Sequence, residues 1–264
     1  MKKFLVVGNP IDHSLSPALH NYWIKSNAID AIYEKKKLDA NELEQLILQV
    51  KEKKINGINV TVPFKKDIIP FLDELSIEAE STQSVNTIYL KDDKVVGHNT
   101  DIIGFETSIE KSKFNVFNKE VLILGAGGVV PSIIFALNKM KVSKVKISNR
   151  TKEKAENLKK LFKNIEIIEW GEVPNFDVII NATSLGLKKN DYINLDFSLI
   201  SKNSLFYDVI YNPRETNFLK TGKKRGNITL NGKLMFIYQA LSAFTIWHGL
   251  KPNVNEDVIK LLDQ

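Results

Sequence analysis

Glu120-Val121-Leu122-Ile123-Leu124-Gly125-Ala126-Gly127-Gly128 is the stretch on which the fold of this 264-residue chain turns. An apolar run too short for a helix leads straight into glycines, and a helical pattern follows. A strand that is apolar on both faces belongs in a parallel sheet covered on both sides. A glycine-rich turn between such a strand and a helix lets the backbone approach a pyrophosphate, while the helix N-terminus offers N–H groups and a favourable dipole. Gly125, Ala126, Gly127, Gly128 and Val129 are therefore candidate cofactor contacts. The glycines alone would also suit a plain tight turn; the flanking elements favour the nucleotide reading. Position 130, where a third glycine or alanine would fall, is Val130, which predicts looser helix-to-strand packing there. Pro131 lies in the first helical turn, where a missing N–H is tolerated.

The next strand, Lys144–Ser148, ends in Ser148-Asn149-Arg150-Thr151. An NAD site usually places Asp or Glu here to hold the ribose 2′-hydroxyl. This chain has none at that point. Arg150 instead suits a 2′-phosphate, with Asn149 and Thr151 beside it, so NADP(H) is expected over NAD. Asn149 and Thr151 would also serve simply to cap the following helix.

Further strands are expected at Glu166–Trp170, Asp177–Asn181 and Leu205–Val209. Ahead of the glycine turn the pattern gives a strand at Phe4–Val7 and a helix over 17–27, with Ser16 as N-cap and Pro17 first in the helix. A strand at Ile32–Leu38 and an amphipathic helix over 40–53 follow, the latter with Leu43, Leu46, Ile47 and Val50 on one stripe. Ile55–Val62 reads as a strand and 64–72 as a short helix. Ser84–Leu90 and Lys94–Gly97 form a hairpin about Asp92-Asp93. Helices are expected over 102–113, 233–248 and 254–263. The fold class is α/β, in two successive units, the second opening near residue 102 and carrying the glycine turn.

Ile58-Asn59-Val60-Thr61-Val62-Pro63-Phe64-Lys65 carries the chemistry. Ile58, Val60 and Val62 alternate with Asn59 and Thr61, the period of a strand with one buried face. Asn59 and Thr61 share the other face, Pro63 stops the ladder, and Lys65 follows. Two neutral hydrogen-bonding groups and an ammonium suit a hydroxyl-rich ligand whose reacting oxygen needs a proton donor. With Asp92-Asp93 as the turn, Asn86 pairs opposite Asn99, and Asp101 falls close to Asn86. Alone, Lys65 would pass for a surface lysine and Asp101 for a helix cap. Together, ahead of a nicotinamide domain, they make a candidate catalytic pair.

Composition narrows the class. The chain is 43% hydrophobic and 26% charged, an ordinary globular balance. It has no cysteine, which excludes disulfides, thiolate catalysis and cysteine metal sites. The sequence offers no support for a metal. The apolar run at the N-terminus is too short for a signal peptide and no segment reaches membrane-span length, so a cytoplasmic location is expected. Net charge is +6, yet 34 of the 37 basic residues are lysines spread along the chain. Nucleic-acid binding is not expected, because arginine clusters and a recognition motif are missing.

The chain also carries His13-Ser14-Leu15-Ser16-Pro17, Val85-Asn86-Thr87, Gly97-His98-Asn99-Thr100-Asp101, Asn181-Ala182-Thr183-Ser184-Leu185-Gly186, Tyr211-Asn212-Pro213, and Gly232-Lys233-Leu234-Met235 with Gln239. With the stretches quoted above, these resemble the shikimate dehydrogenase family, in family order and over nearly the whole length. The resemblance implies reversible NADPH-dependent reduction of 3-dehydroshikimate to shikimate, a step toward chorismate and the aromatic amino acids. It implies that Ser14 and Ser16 hold the substrate carboxylate near Tyr211, and that Asn59, Thr61, Asn86 and Gln239 bond the ring hydroxyls. Lys65 and Asp101 would be catalytic and His13 structural. Thr183, Val209, Gly232 and Met235 would line the nicotinamide pocket. It further implies an N-terminal α/β substrate domain of residues 1–102 and 237–264, a Rossmann-like NADP-binding domain of 103–236 with a cleft between them, and a C-terminal helix that returns to the first domain. A monomer or homodimer is expected. A quinate/shikimate dehydrogenase with relaxed cofactor use is the nearest alternative. A folate-linked dehydrogenase/cyclohydrolase shares the plan but not the twin serines or the Asn99-Thr100-Asp101 stretch.

Replacing the guanidinium tests the cofactor reading. Arg150→Ala should raise the Kd for NADPH far more than that for NADH; equal losses for both would defeat the assignment.

Overall fold

Strand neighbours, rather than strand number, set where side chains gather. The structure is a computed structural model that describes residues 1–188 and 190–263. Two units arise: Met1–Gly104 with Ile237–Gln264, and Phe105–Phe236.

The first unit holds β1 (Lys2–Gly8), α1 (Ser16–Ser26), β2 (Ala31–Lys37), α2 (Leu43–Lys51), β3 (Gly57–Val60), β4 (Glu74–Leu75), α3 (Ile77–Thr82), β5 (Thr87–Lys91) and β6 (Lys94–His98). Its sheet runs β2-β1-β3-β5-β6-β4. β1 is parallel to β2 and β3, but β5 is antiparallel to both β3 and β6. The hairpin expected about Asp92-Asp93 is present, and it makes this sheet mixed. Asp92 and Asp93 form its turn, both with positive φ, 49° and 58°, as a two-residue turn that follows the strand twist requires.

Both faces of this sheet are covered. Leu5, Val7, Ile58, Val60 and Ile88 join Leu43, Leu46, Ile47 and Val50 of α2 in one core. On the opposite face Phe4 packs on Trp247, and His20 on Tyr33 and Phe244. The polar side of β3 is thus roofed by protein, and Asn59 is buried.

Four local expectations fail for identifiable reasons. β3 ends at Val60, and Val62 is 58% exposed rather than buried, because Pro63 has no N–H with which to extend the ladder. Residues 64–72 form successive turns and a 3₁₀ segment, Ile69–Phe71, instead of an α-helix. Pro70 lacks the amide that an α-turn needs and restricts Ile69 before it. Ser16 is not an N-cap: Leu15 occupies that position without a side-chain cap bond, and Ser16 begins α1. Asp39 and Glu42 form a capping box ahead of the 3₁₀ turn Ala40–Glu42, so the helix expected over 40–53 splits in two. β4 and α3 carry no pattern that had been recognised.

α4 (Asp101–Ser112) leads into the second unit. There β7 (Glu120–Leu124), α5 (Val130–Lys139), β8 (Lys144–Ser148), α6 (Lys152–Leu161), β9 (Ile165–Ile168), β10 (Val178–Asn181), β11 (Leu205–Asp208), α7 (Asn217–Lys224) and β12 (Ile228–Leu230) follow in turn. All six strands are parallel, in the order β12-β11-β10-β7-β8-β9. Numbered within the unit this is 3-2-1-4-5-6, the doubly wound arrangement whose ligand crevice lies where the order reverses, between β7 and β10. α7 and β12 are additions to the elements read from sequence, and β9 ends two residues earlier than expected. Val130 is wholly buried with Ile133, Ile134 and Leu137 on α5, so the larger side chain is taken up in the core. α8 (Lys233–His248) returns the chain to the first unit, and α9 (Glu256–Lys260) ends it, shorter than the 254–263 expected. No helix among the described residues is long and apolar enough to cross a membrane.

Gly57 is where α8 and the first sheet approach most tightly. A Cβ there would lie 2.4 Å from Trp247 Nε1, the atom that donates to Ile88 O at 3.0 Å. Overpacking of this kind costs about 1–3 kcal/mol. Gly57→Ala should lower the melting temperature by roughly 5 °C and change tryptophan fluorescence; an unchanged melt would contradict this packing.

Candidate active site

The topology brings distant segments to one edge of the first sheet. The 9–15 loop leaves the C-terminal end of β1, and Thr61 to Lys65 leave that of the parallel β3. β5 runs antiparallel to β3, so Asn86, just before it, lies at this same edge. β6 ends there too, which delivers Asn99 to Asp101. Thr87 pairs with His98 and the Asn86 amide donates to His98 O, the register that the Asp92-Asp93 turn predicts.

At this edge Lys65 Nζ donates to Asp101 Oδ2 at 2.5 Å, with the two side chains only 13% and 8% exposed. Asn86 Nδ2 donates to the other carboxylate oxygen at 2.8 Å. The orientation of the Asn86 amide is forced. Its Oδ1 accepts from Thr100 N at 2.8 Å, Thr87 Oγ1 at 2.9 Å and Thr100 Oγ1 at 3.1 Å. Three donors hold the oxygen, so the NH₂ must face Asp101. A buried pair of this kind is held together as much by the cost of separating it, about 3–5 kcal/mol, as by attraction. An ammonium held in this way can stabilise negative charge developing on a nearby oxygen.

Asn59 stands behind the pair. Its Nδ2 donates to Asn86 O at 3.0 Å and Thr87 Oγ1 at 3.1 Å, and its Oδ1 accepts from the Tyr33 hydroxyl at 2.7 Å. Gly8 abuts Thr61, since a Cβ on it would meet Thr61 Cγ2 at 2.5 Å. Ser14 Oγ accepts from Ser16 N at 3.3 Å, and Ser16 is buried at the start of α1. Ser14, Ser16, Asn59, Thr61, Lys65, Asn86 and Asp101 are all gathered in this unit. Gln239 is half-buried on α8 in the same unit. Tyr211 belongs to the second unit, with its ring 4.5 Å from Phe236. His13 is exposed. Buried His20 is pushed down to about 3, by desolvation first and His248 second, and stays neutral in the core.

In the second unit the glycine turn fits a dinucleotide phosphate. Gly125 has φ 111° and lies against Ala182 O, which a Cβ would approach to 2.9 Å. Gly127 and Gly128 are exposed, and no side chain caps α5 at Val129, which leaves a helix N-terminus suited to an anion. Leu124 pairs with Ser148, so the Asn149–Thr151 loop sits beside this turn. Arg150 is exposed, Asn149 Nδ2 donates to Thr151 O at 2.7 Å, and Thr151 occupies the N-cap position of α6 without a side-chain cap bond. No carboxylate occupies positions 149–151. Thr183 is half-buried beside Gly125. Gly232 lies so close to Val209 that a Cβ would fall 2.1 Å from Val209 O. Met235 is buried at the start of α8. Among the described residues there is no group of three or more His, Asp or Glu placed to hold a metal.

Asp208, Asn181 and Thr216 were not anticipated. Asp208 Oδ2 accepts from Thr216 Oγ1 at 2.5 Å, while Oδ1 accepts from Asn181 Nδ2 and Ile210 N, each at 3.0 Å. Asn181 Oδ1 in turn accepts from Thr183 N and Oγ1, at 3.0 and 2.7 Å. One carboxylate thus anchors the loops after β10 and β11. An acid closing an apolar strand, Leu205-Phe206-Tyr207-Asp208, was the available signal.

A doubly wound dinucleotide fold, together with a lysine–carboxylate pair in a separate α/β unit, defines a nicotinamide-dependent dehydrogenase class. Comparison with known proteins narrows it. The family "Shikimate dehydrogenase substrate binding domain" matches residues 6–88, and "Shikimate / quinate 5-dehydrogenase" matches residues 108–215. A shikimate dehydrogenase (NADP(+)) of Pelagibacter ubique is 63% identical over 262 residues, covering 99% of each chain. One from Caldicellulosiruptor saccharolyticus is 40% identical over 95% of this chain and 93% of its own. The structure of the Thermus thermophilus shikimate 5-dehydrogenase with NADP(H) and shikimate superposes with TM-score 0.91 at 29% identity, covering 99% of this chain and 98% of that one. The chain belongs to the shikimate dehydrogenase family.

Burial lifts the Asp208 carboxyl to about 6, against the pull of its three hydrogen bonds. The folded protein then holds this proton more tightly than the unfolded chain, so stability from Asp208 falls between about pH 4 and pH 6. Relative to Asp208→Asn, the wild type should lose about 2–3 kcal/mol between pH 4 and pH 7. Urea unfolding of both proteins at the two pH values measures this; parallel pH dependence would rule it out.

Proposed function

We propose that this chain catalyses the reversible NADPH-dependent reduction of 3-dehydroshikimate to shikimate, in the route to chorismate and the aromatic amino acids. The observation that carries the reading is the Lys65–Asp101 pair, oriented by Asn86 at the edge where the hydroxyl-binding residues gather. NADPH, when bound, supplies the hydride. Lys65 stabilises the negative charge developing on the carbonyl oxygen and donates the proton. Asp101 orients Lys65 and accepts from the neighbouring hydroxyl. Ser14, Ser16 and Tyr211 hold the carboxylate; Asn59, Thr61, Asn86 and Gln239 hold the ring hydroxyls. Gly125, Ala126, Gly127, Gly128 and Val129 take the pyrophosphate, while Asn149, Arg150 and Thr151 take the 2′-phosphate. Thr183, Val209, Gly232 and Met235 line the nicotinamide pocket.

On this reading residues 1–102 with 237–264 form the substrate domain and 103–236 the NADP domain. The enzyme is cytoplasmic, a monomer or homodimer, with neither nucleic acid nor membrane as a partner. The names of the relatives support NADP(H) as cofactor. The second family description also names quinate, so rates with NADP+ and NAD+ on shikimate and quinate form the first assay. Shikimate with NADP+ should be the fastest pair. Lys65→Ala should lower kcat by on the order of a hundred-fold with little change in KM; an unchanged kcat would remove Lys65 from the mechanism.

A further inference from the structure

We propose that Tyr33 is a positioning residue for substrate binding, acting through Asn59. The inference deepens the functional reading above and rests on it for the role of that residue. Tyr33 is 2% exposed on β2, outside every stretch that the resemblance singles out. Its backbone is pinned to α1: Asn21 Nδ2 donates to Tyr33 O at 2.8 Å, and Tyr33 N donates to Asn21 Oδ1 at 2.9 Å. Its ring stacks on the neutral His20, with centroids 4.1 Å apart and planes 4° from parallel. Ring and backbone are thus fixed before the hydroxyl is considered.

That hydroxyl spends its one hydrogen on Asn59 Oδ1, at 2.7 Å. One phenol on β2 therefore holds the Asn59 amide of β3. The consequence for Asn59 is specific. Both Nδ2 hydrogens are used, on Asn86 O and Thr87 Oγ1, and one Oδ1 lone pair is used by Tyr33. What Asn59 offers a ligand is the remaining lone pair, so the ring hydroxyl that faces it must donate. Without the phenol hydrogen, the Asn59 oxygen loses the donor that holds it, and the amide is positioned from its nitrogen side alone. The same amide supports Thr87, which donates to Asn86 Oδ1 at 2.9 Å. Tyr33 so stands at the head of a donor series that ends on Asp101.

Tyr33→Phe removes one oxygen and keeps the stacked ring. Initial rates should show the KM for shikimate raised about ten-fold, with the KM for NADP+ within two-fold of wild type. In the double variant with Asn59→Ala, the KM for shikimate should be no worse than in Asn59→Ala alone. Losses that multiply in the double variant, or an equal rise in both KM values, would mark Tyr33 as a packing residue and overturn the proposal. A stability cycle reads the same coupling without catalysis. Asn59→Leu takes away the acceptor of the phenol, so adding Tyr33→Phe to it should cost less in melting temperature than Tyr33→Phe costs the wild type; additive losses count against the proposal. A wild-type protein inactive on shikimate would sink the functional reading, whereas an active wild type with an unaltered Tyr33→Phe sinks this one.

Discussion

A carboxylate with two donors on it governs the first unit. Asp101 must hold Lys65 on one oxygen and Asn86 on the other, and each requirement propagates outward. Lys65 has to leave the sheet immediately after β3, which the Pro63 turn ensures. Asn86 has to present its nitrogen, which Thr87 and Thr100 enforce by occupying its oxygen. The threonines need the hairpin register, and the register needs a turn of two residues that tolerate positive φ. A polar network in a low-dielectric setting is favourable only when every member is satisfied, so the edge is ordered as a whole.

The two units divide the chemical labour. In the first, neutral amides and hydroxyls surround a single ion pair, an arrangement suited to a small polyhydroxylated acid. In the second, the backbone at the start of α5 and the exposed Arg150 guanidinium are suited to an anion. Asp208 shows that the second unit has an internal organiser too. Its carboxylate links Asn181, Thr216 and the 210 amide, which ties together the loops after β10 and β11.

Much of this was legible because it is local. The apolar strand before Gly125, the missing acid near Arg150 and the turn at Asp92-Asp93 each act within a few residues, and short-range chemistry decides them. The Lys65–Asp101 pairing was reachable because register follows from turn length. What could not be read depends on which segments meet. Tyr33 looks like any strand aromatic until His20 and Asn59 are brought to it. Ser16 reads as an N-cap because serine often stands just before a helical proline, whereas here the helix begins with Ser16 itself. The helix expected over 64–72 ignored Pro70, a local signal that was there to be weighed. The exposure of Val62 reflects a strand cut short just after Val60, where alternation alone says nothing about where pairing stops.

The indole of Trp247 bonds to a carbonyl 159 residues earlier in the chain. The second unit is one continuous segment, whereas the first waits for α8 before Gly57, Phe4 and His20 acquire their aromatic cover. During synthesis from the N-terminus, the half that carries the lysine–carboxylate pair therefore emerges first and is completed last. Its apolar β1 face stays unroofed while the nucleotide half is made, and the final closure joins contacts of very high sequence separation, the slow kind of event in folding. The order in which the chain is made and the order in which its two functions mature are reversed.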